Sequence, residues 1–169
     1  SNGCVPRNAC ASTRGNFGFA TRFSCMCKSR VKTLSLINEK TRLIIINSPA
    51  NPTGGVVDRV ELDKLAEGLK HHPHVAILSD EIYSHLVFEG SGFQSLMQYP
   101  HLADRVVLLD GWSKTFAMTG WRLGWLVAPQ DCVEALDTLA QNLFLAAPTP
   151  AQYAALAAFD RDTLEILEQ

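Results

Sequence analysis

The sequence predicts an α/β fold, in which a mostly parallel sheet is covered by helices to form part of a three-layer sandwich. Short apolar runs rich in β-branched residues alternate with segments of helical periodicity. Polar residues follow these runs repeatedly, and the carboxyl ends of strands are where open α/β sheets bind ligands. The last two runs are joined by a turn without a covering helix, which predicts that one strand is antiparallel.

The first predicted strand is Leu43–Asn47, with the sequence LIIIN. Its continuous apolar run indicates a strand that is buried on both faces of a parallel sheet. A dense turn signal follows at residues 48–55, SPANPTGG. Because two X-Pro bonds lie close together here, a cis peptide is expected at Ser48-Pro49 or at Asn51-Pro52.

A helix of about three turns is predicted next. Asp58 has the character of an N-cap, and Glu61 lies three residues later, as in a capping box. The apolar face predicted to cover the sheet consists of residues at helical spacing, namely Leu62, Leu65, Ala66 and Leu69. Three histidines around Pro73 then end the helix (His71, His72 and His74), and helix capping is favoured over a metal site there.

The remaining elements follow from the same patterns. Further strands are predicted at residues 75–79, 105–110 and 124–128, the last of them antiparallel, with a loop and a short helix in residues 90–99. Alternating charged and aliphatic residues predict a helix at residues 131–145. Thr149 is predicted to cap a last helix, with Pro150 at its first position, that runs to about residue 159.

Residues 1–33 form a head that differs in composition from the body at residues 34–169. Six of the 15 basic residues and none of the 17 acidic ones lie in residues 1–38, and four of the five cysteines lie in the head. The head has no strand or helix periodicity, so we expect it to be poorly ordered or loosely packed. A metal role for Cys25 and Cys27 is disfavoured by their spacing, and no metal site is predicted in the chain. The body, with Cys132 as its one cysteine, resembles a cytosolic enzyme.

Candidate functional residues lie at the predicted strand ends. They are Asn51, Asp80, Tyr83, Lys114 and Arg122. Each alone has a structural explanation, such as a turn residue, a helix cap, a core aromatic or a surface cation. A lysine and an arginine between two buried strands are costly, however, unless chemistry uses them. The economical use is a lysine that forms a Schiff base with a carbonyl cofactor whose phosphate is held by the arginine and a serine.

Four motifs in this order resemble the class I/II aminotransferases, which are fold type I pyridoxal-phosphate enzymes, and in particular their aspartate and aromatic transaminase branch. The motifs are NSPANPTGG (47–55), SDEIYSHLVFEG (79–90), GWSKTFAMTGWRLGW (111–125) and APTPAQYAALA (147–157). The resemblance covers residues 35–160 and does not extend to the head. It implies that the body is part of the family's pyridoxal-phosphate-binding large domain.

The resemblance also implies two catalytic roles. Lys114 matches the lysine that forms the Schiff base with pyridoxal 5′-phosphate and then moves the substrate proton. Asp80 matches the carboxylate that faces the pyridine nitrogen and keeps it protonated, so that the ring accepts electrons.

The other cofactor contacts are implied in the same way. Tyr83 and Asn51 match the two groups that hydrogen-bond the phenolic oxygen of the cofactor, and Ser113 and Arg122 match phosphate ligands. At Gly111 many relatives carry a serine that also contacts the phosphate, so one donor is expected to be missing.

The implied reaction is amino-group transfer between an amino acid and a 2-oxo acid, in a homodimer. The family's upstream phosphate loop and its downstream substrate-binding arginine have no match in the chain. Two alternatives therefore stay open: a non-catalytic fragment or remnant of such an enzyme, or a related C–S lyase, decarboxylase or aminocyclopropane-carboxylate synthase. The sequence gives no indication of nucleic-acid or membrane binding, and a cytoplasmic location is expected.

Overall fold

A four-stranded mixed sheet organises the computed structural model, which describes residues 31–88 and 92–167. The strands lie in the order β1-β2-β3-β4. The first three are parallel, and β4 runs antiparallel to β3, which confirms the predicted α/β fold and its one reversed strand. The strand bounds are β1 Leu43–Asn47, β2 Ala76–Asp80, β3 Val106–Gly111 and β4 Gly124–Val127.

Six α-helices accompany the sheet in the described ranges. They are α1 Val31–Leu34, α2 Arg59–Leu69, α3 Trp112–Thr115, α4 Gln130–Leu143, α5 Thr149–Leu156 and α6 Arg161–Leu167. Short 3-10 turns occupy Leu96–Gln98, Pro100–Leu102, Thr119–Trp121 and Ala157–Phe159. The predicted bounds of the four strands and of α4 agree with the observed ones to within two residues, whereas the last predicted helix ends as α5 at Leu156, three residues before residue 159. The only regular element in the described part of the predicted loop at 90–99 is a 3-10 turn.

Helix α2 forms for the reasons that its sequence indicates. Asp58 has extended backbone angles and its side chain accepts a hydrogen bond from the Glu61 N–H at 2.8 Å, so the predicted N-cap is confirmed. The four predicted apolar residues are all buried: Leu62, Leu65, Ala66 and Leu69. At the other end, the Arg105 guanidinium donates to the carbonyl oxygens of Leu69, His72 and Val75, which satisfies groups that a helix terminus leaves unpaired.

The main core lies between α2 and one face of the sheet. Ile46, Ile77 and Val106 contribute from three neighbouring strands, and Leu96 and Leu102 close the cluster from the 3-10 turns. Burial of β1 on both faces was a wrong prediction. The side chains of Leu43 and Ile45 are 50% and 44% exposed, because α2 covers only the face that carries Ile46.

Strand register brings the carboxyl ends of β1 and β2 together. Asn47 is the partner of Asp80, and Asp80 is the partner of Leu109 on β3. Side chains alternate between the faces of a strand, so these three lie on the same face as the exposed Ile45, opposite the main core. The polar strand ends therefore open away from α2.

At the end of β3 and the start of β4, the two backbones lie too close together to leave room for a side chain between them. Gly111 is the partner of Gly124. A Cβ atom on Gly111 would lie 2.9 Å from the Gly124 Cα and 2.9 Å from the Leu123 carbonyl oxygen, a distance that real Cβ atoms essentially never show. Glycine at position 111 is therefore required by the neighbouring backbone.

Prolines bear on local predictions at two places, the turn after β1 and the start of α5. Both Ser48-Pro49 and Asn51-Pro52 are cis. The predicted cap at Thr149 is wrong, since Thr149 is the first helical residue of α5 and Pro148 precedes it as the N-cap. The reason is that Pro148 has a non-helical backbone (φ −57°, ψ 127°) and its carbonyl already accepts from the N–H groups of Ala151 and Gln152.

The predicted disorder of the head falls almost wholly outside the described residues. So does the disfavoured metal role of Cys25 and Cys27. In the described ranges, no helix combines the length and the apolar composition that crossing a membrane requires, and no group of three potential metal-ligating side chains occurs there.

Candidate functional site

Asp80 occupies the last position of β2 and presents its carboxylate at the open edge. Its Oδ2 accepts a hydrogen bond from Asn47 Nδ2 at 2.9 Å. Its Oδ1 accepts a longer one from the Ile82 N–H at 3.4 Å. Each carboxylate oxygen thus has a hydrogen-bond partner. The residue is half-buried, so a ligand at the open edge of the sheet could still reach the carboxylate.

Tyr83 lies in the turn that follows β2, and Asn51 lies in the turn that follows β1. Asn51 Nδ2 donates to the Tyr83 hydroxyl oxygen at 3.1 Å. Tyr83 is half-buried and Asn51 is exposed, so their polar atoms meet at the edge of the site. The backbone N–H of Asn51 also donates to Asn47 Oδ1 at 3.0 Å, which ties the turn to the end of β1.

Lys114 is carried by the short helix α3, directly after β3. Its Nζ lies 5.5 Å from the centroid of the Tyr83 ring, a cation–π distance. Trp112 anchors this helix by packing against Leu123 and the small residues of α5, and its ring makes an edge-on contact with Phe159 at 6.4 Å. The lysine is therefore held against the tyrosine by a packed turn.

The two residues matched to phosphate ligands are placed differently. Ser113 lies beside Lys114 in α3 and is half-buried. Arg122 is exposed and has a left-handed backbone with φ 54°, and its guanidinium donates to the Thr119 carbonyl oxygen at 2.9 Å. In the described residues no hydrogen bond or ion pair joins Arg122 to the other five predicted site residues, so the structure brings together Asn51, Asp80, Tyr83 and Lys114, with Ser113 adjacent.

Sequence reasoning missed Asn47 as a member of this site. Its amide contacts both Asp80 and the turn that carries Asn51, and so it completes a chain of contacts from Lys114 through Tyr83 and Asn51 to Asp80. The available signal was its position at the end of β1, which a parallel register would place beside the end of β2. An asparagine at the end of an apolar strand is otherwise easily taken for a turn residue.

A cavity of about 280 Å³ adjoins the Asn51 and Tyr83 side chains. None of its lining residues carries a charge, and they come from the turns after β1 and β2. Concave and partly apolar space beside converging polar groups is typical of small-molecule sites.

Two further carboxyl groups lie close to the strand ends. Burial raises the pKa of Glu81 above its usual range, while hydrogen bonds from Ser79, Ser95 and the Leu96 N–H oppose the shift. Burial likewise raises the pKa of Asp110, which accepts from the Gly111 N–H at 2.6 Å and from the Ser84 side chain. Asp110 therefore links the turn after β3 to the turn after β2.

The chain that forms this site matches a known protein family over most of its length. Residues 28–168 match the family described as aminotransferase class I and II. The chain belongs to this family. The match begins six residues before residue 34, where the body was predicted to start.

Curated relatives of this aminotransferase chain are named as transaminases. It is 40% identical over 159 residues to the (5-formylfuran-3-yl)methyl phosphate transaminase of Methanocaldococcus jannaschii. The aligned region covers 93% of this chain and 41% of that relative. It is 44% identical over 126 residues to an aspartate aminotransferase of Sulfurisphaera tokodaii, which covers 75% of this chain and 31% of the relative. The chain thus spans well under half the length of these relatives.

Solved aminotransferase structures confirm the fold that the resemblance implied. An aromatic aminotransferase from Pyrococcus horikoshii superimposes with a TM-score of 0.78 at 33% identity, over 84% of this chain and 38% of that one. The aspartate aminotransferase from Rhizobium meliloti gives a TM-score of 0.77 at 31% identity, over 84% of this chain and 36% of that one.

Proposed function

We propose that this chain forms the cofactor-binding part of a pyridoxal-phosphate-dependent aminotransferase, which transfers an amino group between an amino acid and a 2-oxo acid. The observation that carries the proposal is the chain of contacts that joins Lys114, Tyr83, Asn51 and Asp80 at the carboxyl ends of three strands. Family membership supports it, and so do the names of the relatives.

The donor set fits pyridoxal phosphate. An amine, a carboxylate, a phenol hydroxyl and an amide converge, and these match the cofactor's aldehyde, its ring nitrogen and its phenolic oxygen. Lys114 supplies the amine, Asp80 the carboxylate, and Tyr83 and Asn51 the hydroxyl and the amide. Ser113, adjacent to Lys114, and Arg122 are assigned to the phosphate because they occupy the family's positions for it.

When bound, pyridoxal phosphate supplies an electron sink for the carbanion that forms at the substrate Cα. Lys114 Nζ would take the proton from the substrate Cα and would deliver it to the carbon that carried the cofactor's aldehyde, which completes the transfer of the amino group. The Asp80 carboxylate holds a proton on the ring nitrogen, and the Tyr83 hydroxyl and the Asn51 amide donate to the phenolic oxygen. A phosphate held by Ser113 and Arg122 keeps the reacting end in place between half-reactions.

A homodimer that takes an amino acid and a 2-oxo acid as substrates is part of the same proposal. The relatives named as aspartate aminotransferases support this class of substrate. Since the chain spans less than half of their length, the activity of the complete protein belongs to the proposal and to its test.

The test uses the full-length polypeptide with pyridoxal phosphate and borohydride reduction. We expect reduction to fix the cofactor on the peptide that contains Lys114, detected by mass spectrometry, and addition of an amino acid before reduction to release it. Lys114→Ala should abolish the adduct. A matched control is Lys64→Ala, since Lys64 is a surface lysine on α2 paired with Glu61 at 3.6 Å, and it should leave the adduct unchanged.

The products distinguish the remaining alternatives. A 2-oxo acid that keeps the carbon skeleton of the amino acid supports transamination. Release of CO₂, of a thiol or of a cyclised product instead supports the decarboxylase, C–S lyase or aminocyclopropane-carboxylate synthase alternatives. A wild-type protein that forms no adduct at saturating cofactor would contradict the proposal and would support a non-catalytic remnant.

A further inference from the structure

The Asn47 side chain contacts both the Asp80 carboxylate and the turn that carries Asn51. Its Nδ2 donates to Asp80 Oδ2 at 2.9 Å, and its Oδ1 accepts from the Asn51 N–H at 3.0 Å. It is half-buried at the last position of β1, directly beside Asp80 in the register of the sheet.

We infer that Asn47 is a positioning residue. It orients the Asp80 carboxylate and fixes the turn that carries Asn51, so that two cofactor contacts from different strands keep one geometry. The inference rests on the proposed function, because Asp80 and Asn51 are the groups that would meet the cofactor.

The chemistry of the amide supports this role. An amide offers a donor and an acceptor on one rigid plane, and Asn47 uses both. The opposite flip of the amide would place its oxygen against the Asp80 carboxylate and its NH₂ against the Asn51 N–H. Both contacts would then be repulsive, so a single orientation of Asn47 satisfies both neighbours.

The orientation of Asp80 depends on this contact more than on its other one. The Ile82 N–H lies 3.4 Å from Oδ1, near the limit of a hydrogen bond, whereas the Asn47 bond to Oδ2 is short and donates to an anion. Without Asn47, the Ile82 N–H would be the remaining hydrogen-bond donor to this carboxylate among the residues that the structure describes, so the plane of the carboxylate would be less restrained.

The turn that carries Asn51 is also held by hydrogen bonds that do not involve Asn47. Ser48 Oγ accepts from the Val57 N–H at 3.0 Å, and backbone bonds join Ala50 to Gly54 and Gly55. Ser48→Ala therefore weakens the same turn and leaves the Asn47–Asp80 bond in place. It is a matched control for loss of turn structure alone.

The experiment measures exchange of the amino acid Cα proton with deuterated solvent, in the full-length protein loaded with pyridoxal phosphate. Asn47→Ala should slow exchange by roughly ten- to a hundredfold, the effect of losing a hydrogen bond to a charged group. The dissociation constant for pyridoxal phosphate should change by a much smaller factor than the exchange rate, because Ser113 and Arg122, which are assigned to the phosphate, are left in place. Asn47→Asp keeps the size of the side chain but replaces the donor with a second carboxylate, and should lose as much.

A double-mutant cycle separates positioning from general damage. If Asn47 acts through Asp80, then Asn47→Ala in an Asp80→Ala background should slow exchange little further, because residues that act as a unit are non-additive. Additive losses would overturn the inference. So would an Asn47→Ala variant that exchanges as fast as Ser48→Ala, or an Asn47→Asp variant that exchanges at the wild-type rate.

The outcome for the wild-type protein keeps the two proposals apart. Wild-type protein that forms no cofactor adduct overturns the proposed function, and the positioning role with it. Wild-type protein that forms the adduct, with an Asn47→Ala variant that exchanges equally fast, overturns only the positioning role.

Discussion

Glu81 is a buried carboxylic acid that follows Asp80 directly in the chain but faces the core. Its Oε1 accepts from Ser79 Oγ at 2.8 Å, from Ser95 Oγ at 3.1 Å and from the Leu96 N–H at 3.2 Å. These bonds fasten the end of β2 to the first 3-10 turn. Burial nevertheless raises the pKa of this carboxyl group, so its charged form is less favourable in the folded state than in the unfolded chain.

Replacing Glu81 by glutamine should make stability less dependent on pH. Glutamine retains an acceptor oxygen for the three donors and carries no charge. A raised pKa in the folded state contributes stability below the ordinary carboxyl pKa of 4.5, and this contribution is lost as the pH rises through the raised value. Glu81→Gln should therefore be more stable than the wild type at pH 7, and the difference should vanish as the pH approaches 4.5.

Urea unfolding of both proteins between pH 4.5 and pH 8 measures this difference. Ser95→Ala is a suitable comparison, because it keeps the charge and removes a donor that lowers the pKa of Glu81, so its stability should depend on pH at least as strongly as that of the wild type. A stability difference between Glu81→Gln and the wild type that is the same at every pH would contradict the explanation.

Among individual side chains, the sequence predicts those that carry recognisable chemistry. It misses those whose hydrogen bonds keep the first group in position. Asp80, Tyr83 and Lys114 lie within motifs, and their types indicate their use. The part played by Asn47 depends on the register between β1 and β2, which no local pattern contains. The same holds for Glu81, whose donors include residues of a segment further along the chain.

At the scale of elements, the pairing of β3 with β4 explains why position 111 is a glycine. The Gly124 Cα and the Leu123 carbonyl oxygen would both lie 2.9 Å from a Cβ at position 111. The resemblance implies that a phosphate donor is missing at position 111, and the structure leaves no space for any side chain there.

Gly111→Ala should destabilise the protein by about 1 to 3 kcal/mol, the usual cost of overpacking. The added methyl group would push β4 away from β3, because the atoms that it meets are backbone and cannot rotate aside. Thermal or chemical unfolding checks the change. Gly120→Ala is the matched control: nothing lies within 4 Å of its Cβ position, so it should leave stability close to the wild-type value, and equal losses in the two variants would contradict the steric account.

The elements that the sequence predicts well are those with a local cause. Helix α2 has its N-cap and its apolar stripe in one continuous segment, and both are found in the structure, whereas its last turn contains no basic residue and the terminal Leu69 carbonyl oxygen accepts from Arg105 instead of from a histidine side chain. The start of α5 is misjudged because Pro148, Thr149 and Pro150 can each begin a helix, and the choice depends on which carbonyl accepts the first bond. The exposure of β1 depends on what covers the sheet, and its own sequence does not encode that.

At the scale of the whole molecule, many large apolar side chains lie on the surface. Helix α4 has an apolar face, yet none of its residues is buried, and Leu139 and Leu143 are 56% and 76% exposed. Phe144 and Tyr153 add exposed aromatic area at 63% and 71%. Surfaces of this kind favour association with other apolar surfaces.

Replacing Leu139 and Leu143 together by lysine should reduce self-association of the 169-residue chain. The two positions are four residues apart on one face of α4, and lysine has nearly the same helix propensity as leucine. The molar mass from light scattering at increasing concentration should fall towards the monomer value, while the free energy of unfolding changes by no more than about 0.5 kcal/mol per site. As a control, Val60→Lys changes one exposed apolar residue on α2 and should leave self-association unchanged, so an equal effect would point to net charge as the cause.

The reversal of direction between β3 and β4 has a consequence for how the chain acquires its shape. Residues 48–75, which include α2, separate β1 from β2 along the chain, whereas only residues 112–123 separate β3 from β4. Closing a short loop costs less conformational entropy than closing a long one, and pairings that are near in sequence form faster. We therefore expect the hairpin that presents Lys114 and Arg122 to assemble early in folding, ahead of the β1–β2 pairing that sets Asn47 against Asp80.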